Sequence, residues 1–168
     1  REYVHQNVAR TSAEAASRLK FVTGQLPNVR EELDKAQAGL RNFQARTQTL
    51  DVAVQNRALL DQTIALDSSI QQLRIQMTEV ANRYTPSHPT YQTLQKQISQ
   101  FEGERAALQG KIHNLPDTQQ GLFRLNRDVE VTNQTYANLL DQAQQLNIAR
   151  ASAVGNARVI DPAAVNLN

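Results

Sequence analysis

Apolar side chains recur every three or four residues along most of the chain, a spacing that places them on one face of a helix. The first such stretch runs from Val4 to Phe43 and is interrupted by Pro27. Because proline removes one backbone hydrogen bond and clashes with the preceding turn, we expect a kink or short break at residues 24–27. The pattern resumes three times, and it predicts helices at about 6–47, 51–84, 90–114 and 118–153.

Turn-forming residues separate these stretches. Asp51 can cap the second helix, and Pro86 and Pro89 bar helical geometry before each of them, so a chain reversal is expected there. Pro116 indicates the end of the third helix, and Asp117 after it can cap the start of the fourth. These breaks divide the chain into helices of unequal length.

An apolar seam that repeats every 3.5 residues favours antiparallel coiled-coil or bundle packing, so the predicted fold is all-α and elongated. Two layouts fit: an up-down four-helix bundle, or one long helical hairpin that reverses at residues 86–89. They differ in whether residues 47–51 and 115–118 also reverse the chain, and the stop-and-start signal at the latter favours the bundle. The aromatic residues on the seam are predicted core residues: Tyr84, Tyr91, Phe101 and Tyr136.

The end of the chain departs from the helical pattern. Gly155 suits the left-handed position past a helix end, and Val159 and Ile160 are β-branched. We therefore expect an antiparallel helical bundle or hairpin at residues 1–154 and a short strand-like tail at 155–168. A lone strand needs a sheet, and no other segment alternates as a strand does, so its partners should lie in an α/β domain outside these 168 residues. With a first residue other than Met, this indicates a piece of a longer protein.

Composition excludes several classes of function. There is no Cys for a disulfide framework, and no apolar run approaches the roughly 20 residues that span a bilayer. The formal net charge is only +2, with basic residues dispersed among acids, so no nucleic-acid partner is expected. The histidines are scattered singly and no glycine-rich phosphate loop is present, so we expect no catalytic site, metal or cofactor in this chain. His88, between two prolines, is expected to brace a turn.

The densest group of charges lies early in the fourth helix. Arg124 and Asp128 are spaced to form an ion pair one turn apart, and Arg127 and Glu130 lie close by. Two interpretations are open: a solvated helix face, or a contact with another protomer or a polyanion. In the third helix Arg105 occupies the one heptad slot that is polar.

Several segments together resemble the periplasmic region of bacterial polysaccharide co-polymerases, in particular the Wzc-like branch that includes tyrosine autokinases. The segments are 84–89 (YTPSHP), 115–116 (LP), 124–131 (RLNRDVEV), 136–140 (YANLL) and 155–163 (GNARVIDPA). The last is similar to the GNVR module, with Ala157 in place of the usual Val. The candidate interaction or signature residues are Pro86, His88, Pro89, Arg124, Arg127, Asp128, Tyr136, Gly155, Asn156 and Arg158.

The resemblance implies a periplasmic helical segment of an inner-membrane protein with two membrane spans. It implies assembly into a homo-oligomeric ring, commonly an octamer, that sets polysaccharide chain length. The implied partners are a polysaccharide polymerase, an outer-membrane polysaccharide export protein and the polysaccharide itself. Some members carry a cytoplasmic tyrosine kinase and some do not, and these residues leave that open.

Two other classes share the helical pattern. A helical-hairpin adaptor of a periplasmic efflux or secretion system is also antiparallel and heptad-patterned, but is usually flanked by lipoyl-like β segments. A cytosolic coiled-coil scaffold would have neither sheet-forming flanks nor membrane spans.

Overall fold

The structure, a computed structural model, describes the backbone of residues 2–166 and, except at 2–4, 8, 154 and 156–166, their side chains. Its elements are α1 (Glu2–Thr47), a 3-10 turn (Val54–Asn56), α2 (Arg57–Ala81), α3 (Pro89–His113) and α4 (Asp117–Asn166). Residues 2–166 contain no strand. The prediction of an all-α fold is therefore confirmed.

The chain divides into two compact units: Arg1–Asn28 with Ala137–Asn168, and Val29–Tyr136. The first unit pairs the beginning of α1 with the end of α4. Ala15, Val22 and Leu139 are buried there.

The second unit is an up-down four-helix bundle, as contacts along each helix show. The Phe43 ring and Gly39 of α1 lie against Gly121 and Leu125 of α4, respectively, so these helices run in opposite directions. The α2–α3 pair is also antiparallel, because ion pairs join Arg74 to Glu102 and Asp67 to Arg105. Of the two layouts left open by the sequence, the bundle is the one found.

Three connections reverse the chain in this unit. Those at residues 48–56 and 114–116 lie at one end, where the Ala53 N–H donates to Gln119 Oε1 at 3.0 Å. We call this the outer end. The connection at 82–88 lies at the opposite end, where α1 enters the unit and α4 leaves it.

Apolar side chains at the outer end form the main core cluster. Its buried members are Val52, Leu60, Ile64, Ile112, Leu122 and Phe123, the last two with no exposed surface. Asp51 does not cap α2, whose N-cap is Asn56 after the 3-10 turn. Side-chain amides secure the connections instead: Gln120 Nε2 donates to the carbonyls of His113 and Leu115 at 2.9 and 2.7 Å.

Of the expected kink or short break at residues 24–27, the break is wrong, because α1 continues as one helix through Pro27. Proline at 27 leaves the carbonyl of Thr23, one turn earlier, without its helical donor. Thr23, Gly24 and Pro27 all lie on the exposed face, where water can satisfy that carbonyl. The Val29 side chain on the opposite face stays buried.

The expected strand-like tail is also wrong. α4 continues as a helix through Gly155 to Asn166, and no described glycine has a positive φ. A strand must find its hydrogen bonds on another strand, and residues 2–166 offer none. A helix satisfies the same backbone groups internally, which outweighs the β propensity of Val159 and Ile160.

Candidate functional site

An aspartate lies at the centre of the bundle where α2, α3 and α4 meet. Asp67 is buried on α2, with its side chain 11% exposed. Arg105 of α3 approaches it with Nε 2.9 Å from Oδ1, and Arg127 of α4 with Nε 3.4 Å from Oδ2. One carboxylate thus joins three helices through two guanidinium groups.

A second layer of charge surrounds this centre. Arg127, itself only 10% exposed, also has Nη2 3.5 Å from Asp128 Oδ1. Nearer the surface, Arg74 of α2 pairs with Glu102 of α3. We call Asp67, Arg74, Glu102, Arg105, Arg127 and Asp128 the charge cluster.

The charge cluster is incompletely hydrogen-bonded. Asp67 Oδ1 forms an ion pair with Arg105, but the geometry of the contact does not meet that of a hydrogen bond. The neighbouring Ser68 Oγ is also buried, and it has no hydrogen-bond partner among the described residues. Burial raises the pKa of the Asp67 carboxyl and Asp128 adds to the rise, whereas Arg105 and Arg127 oppose it. Desolvation therefore outweighs the two arginines at this site.

A groove of about 600 Å³ opens beside the charge cluster, between α2, α3 and α4. Its lining includes four arginines, one from α2, one from α3 and two from α4: Arg74, Arg105, Arg124 and Arg127. Glu102 is the only carboxylate among its described lining residues, and the rest of the wall includes Gln109, His113 and Gln120. We call this the arginine groove. Such a surface suits an anionic, hydrogen-bonding ligand.

The structure separates the charged residues that the sequence grouped together on α4. Arg127 is buried and Arg124 is exposed, so a solvated face describes only part of the group. The expected Arg124–Asp128 pair is not among the ion pairs of the described residues, and Asp128 pairs with Arg127 instead. Arg124 lines the arginine groove, where it is the one arginine without an ion pair among the described residues.

Pro86, His88 and Pro89 lie at the α2–α3 connection, away from the arginine groove. His88 is the N-cap of α3, and its Nδ1 accepts a hydrogen bond from the Thr90 N–H at 3.1 Å. Its ring stacks on Tyr84 with 4.0 Å between centroids. This geometry makes His88 a bracing residue of the turn.

The remaining candidates lie elsewhere on α4. The Tyr136 ring is half-buried beneath the Arg30 guanidinium, 5.8 Å from its centroid. Gly155 is exposed and helical, and Asn156 and Arg158 have helical backbone but side chains outside the described set. The site residues predicted from sequence are thus dispersed along the chain.

Sequence analysis missed Asp67 and Phe123. Phe123 is the fully buried aromatic residue of the core, whereas Tyr84, expected in the core, is 39% exposed and Tyr91 and Phe101 are half-buried. The one signal for the buried acid was Arg105 at a polar heptad slot. A cation on a seam implies a buried anion facing it.

The described residues contain no group of three or more metal-ligating side chains. Nor does any helix within them have the length and apolarity to cross a membrane. What the described residues do offer is the positive charge of the arginine groove.

Comparison with known proteins shows that a family model matches the C-terminal part of the chain. Residues 117–168 match GNVR, described as "G-rich domain on putative tyrosine kinase". The match begins at the first residue of α4 and covers that helix.

Whole-protein relatives match almost the entire chain. It is 39% identical over 163 residues to the tyrosine-protein kinase wzc of Salmonella typhimurium, and 37% identical over 161 residues to the tyrosine-protein kinase etk of Escherichia coli. A Klebsiella pneumoniae protein named "Putative tyrosine-protein kinase in cps region" is 38% identical over 161 residues. These alignments cover 96–97% of the chain but only 22–23% of the relatives. The chain is thus similar, over nearly its whole length, to one segment of Wzc- and Etk-type tyrosine-protein kinases, and its C-terminal part matches the GNVR model.

Proposed function

We propose that this chain is a non-catalytic periplasmic segment of an inner-membrane polysaccharide co-polymerase. It would support ring assembly and couple control of capsule or exopolysaccharide chain length to export. The observation that carries the proposal is the identity of 37–39% to Wzc- and Etk-type proteins over nearly the whole chain. The relative named for a cps region supports the link to polysaccharide.

The kinase activity named in the relatives is proposed to reside outside these residues. The chain spans less than a quarter of their length, which leaves room for a catalytic domain and for membrane spans elsewhere in the protein. Residues 155–168 would lead from the helical segment towards the membrane-proximal part.

The bundle layout supports a particular docking surface. The outer end lies opposite the end where the chain enters and leaves Val29–Tyr136, and two large apolar side chains are exposed there, Leu50 at 69% and Val54 at 86%. Exposed apolar residues at a loop suit a protein partner. We propose that the outer end, and not the connection at residues 82–88, contacts the outer-membrane export protein.

Oligomerisation is proposed because of the same sequence similarity to Wzc- and Etk-type proteins. Ring contacts would use lateral faces of the helices, as expected for identical copies around an axis. The candidate residue Tyr136, with Arg30, lies on such a lateral position between α1 and α4.

Replacing the bundle in the longer protein tests the function. A strain lacking the gene is complemented either with the intact gene or with one in which a Gly/Ser linker replaces residues 29–136. Equal protein levels are verified by immunoblot, and surface polysaccharide is measured by gel electrophoresis. The proposal expects long-chain polysaccharide with the intact gene only. Unchanged amount and length with the linker version would refute it.

A further inference from the structure

We infer that the arginine groove binds carboxylate-bearing sugar units of an acidic polysaccharide. The inference rests on the proposed function and names the chemistry of the ligand and the side chains that would hold it.

The first argument is the supply of hydrogen-bond donors. A guanidinium has five N–H donors, and the ion pairs inside the charge cluster use only some of them. Arg105 faces Asp67 through Nε, and Arg74 pairs with Glu102 through Nη2. Arg127 uses Nε for Asp67 and Nη2 for Asp128. The Arg105 and Arg74 side chains are partly exposed, and their remaining Nη groups can meet a ligand carboxylate, for which the planar fork of Arg is well suited.

The second argument is preorganisation. Asp67 and Glu102 hold arginines from different helices in place before any ligand arrives, so less side-chain entropy is lost on binding. Arg124 is the exception: it is exposed at the groove wall and adds positive charge that no described carboxylate offsets. Loss of Arg124 should therefore weaken ligand binding without loosening the bundle.

The third argument concerns the size and polarity of the groove. Its volume, about 600 Å³, lies in the range of roughly 300–1,000 Å³ found for small-ligand sites. Gln109 and His113 add polar groups for hydroxyls, and Ala106 and Ile112 are the apolar residues of the described lining. Protein partners usually anchor through aromatic or aliphatic side chains in apolar pockets. A hydroxyl-rich, carboxylate-bearing chain fits this wall better than a peptide does.

Binding can be measured on the 168-residue chain by NMR. The ¹⁵N-labelled protein is titrated with tetragalacturonate, with neutral maltotetraose and with tetraglutamate, and shifts of backbone amide and arginine Nε–H signals are followed. The inference expects saturable shifts at the groove with tetragalacturonate, no shifts with maltotetraose, and about tenfold weaker binding of tetraglutamate.

Matched variants locate the site. Arg124→Gln should weaken tetragalacturonate binding about tenfold, whereas Arg41→Gln, the same charge change at an exposed position of α1 outside the groove, should leave it unchanged. Unaltered backbone shifts in the free variants show that both are folded.

Three results would overturn the inference: no saturable binding of tetragalacturonate, equal binding of tetraglutamate, or equal effects of the two substitutions. None of these depends on the polysaccharide phenotype of the longer protein. Failure of the groove inference is therefore distinguishable from failure of the proposed function.

Discussion

Gly121 of α4 lies against the Phe43 ring of α1, and replacing it tests the packing of the bundle. A Cβ added there would lie 2.5 and 2.7 Å from the Phe43 Cζ and Cε2 atoms, closer than carbon atoms approach without displacement. Gly103, in the interior of α3, has no atom within 4 Å of an added Cβ and is exposed. The two glycines thus allow the same substitution with and without a steric conflict.

The magnitudes follow from two opposing effects. Alanine favours a helix over glycine by about 0.5–1 kcal/mol, so Gly103→Ala should raise the free energy of unfolding by that amount. Gly121→Ala gains no more than this and incurs an overpacking cost of about 1–3 kcal/mol, because Phe43 packs against the core cluster and must shift. We expect Gly121→Ala to be less stable than Gly103→Ala by about 1–3 kcal/mol.

Urea unfolding followed by circular dichroism at the helix band measures both variants. Adding Phe43→Leu to each should relieve the conflict at Gly121 only, which gives a coupling free energy above about 0.5 kcal/mol for Phe43 with Gly121. If Gly121→Ala stabilised the chain as much as Gly103→Ala does, the α1–α4 packing described above would be refuted.

Two further predictions concern the charge cluster and the first connection. The pKa of Asp67 is raised, so the folded chain binds the carboxyl proton more tightly than the unfolded chain does. The contribution of Asp67 to the free energy of unfolding is therefore complete at low pH, and it declines as pH rises from about 4 towards the raised pKa. Asp67→Asn should therefore be at least as stable as the natural chain at pH 7, and urea titrations should show this advantage vanishing near pH 4. A loss of about 3–5 kcal/mol in the free energy of unfolding at pH 7 would instead show that the ion pair is net stabilising. Gln48, the residue after α1, has a φ of 54°, a left-handed conformation that costs residues other than glycine about 1–2 kcal/mol. Gln48→Gly should raise the melting temperature, while Gln55→Gly, in the 3-10 turn without a positive φ, should not.

Helical spacing was enough to predict part of the core and the turns. Val22, Val29 and Leu33 lie on the predicted seam and are buried, and α1 ends at Thr47 as expected. Local rules suffice here because a helix repeats its environment each turn. The stop signal at Pro116 likewise identified the correct one of two layouts.

Other features depend on packing that no local pattern contains. A heptad pattern marks the residues on one face of a helix. In the bundle α4 contacts α1, α2 and α3, so more of its circumference is buried, and Phe123 lies in that additional buried part. Asp67 is a charged residue, so the hydrophobic pattern does not indicate its burial. Its burial depends on arginines from two other helices. Gly155 and the β-branched residues after it suggested a strand, but strand formation depends on a partner strand, and residues 2–166 contain none.

We propose above that this segment connects polysaccharide assembly to export through the outer end of its bundle. The most direct measurement places a photo-crosslinking amino acid at Val54 or at Ser87 of the longer protein in living cells; both positions are exposed, and they lie at opposite ends of the bundle. Crosslinked partners are identified by mass spectrometry. The account predicts crosslinks to the outer-membrane export protein from Val54 and none from Ser87. Crosslinks from Ser87 alone would contradict it.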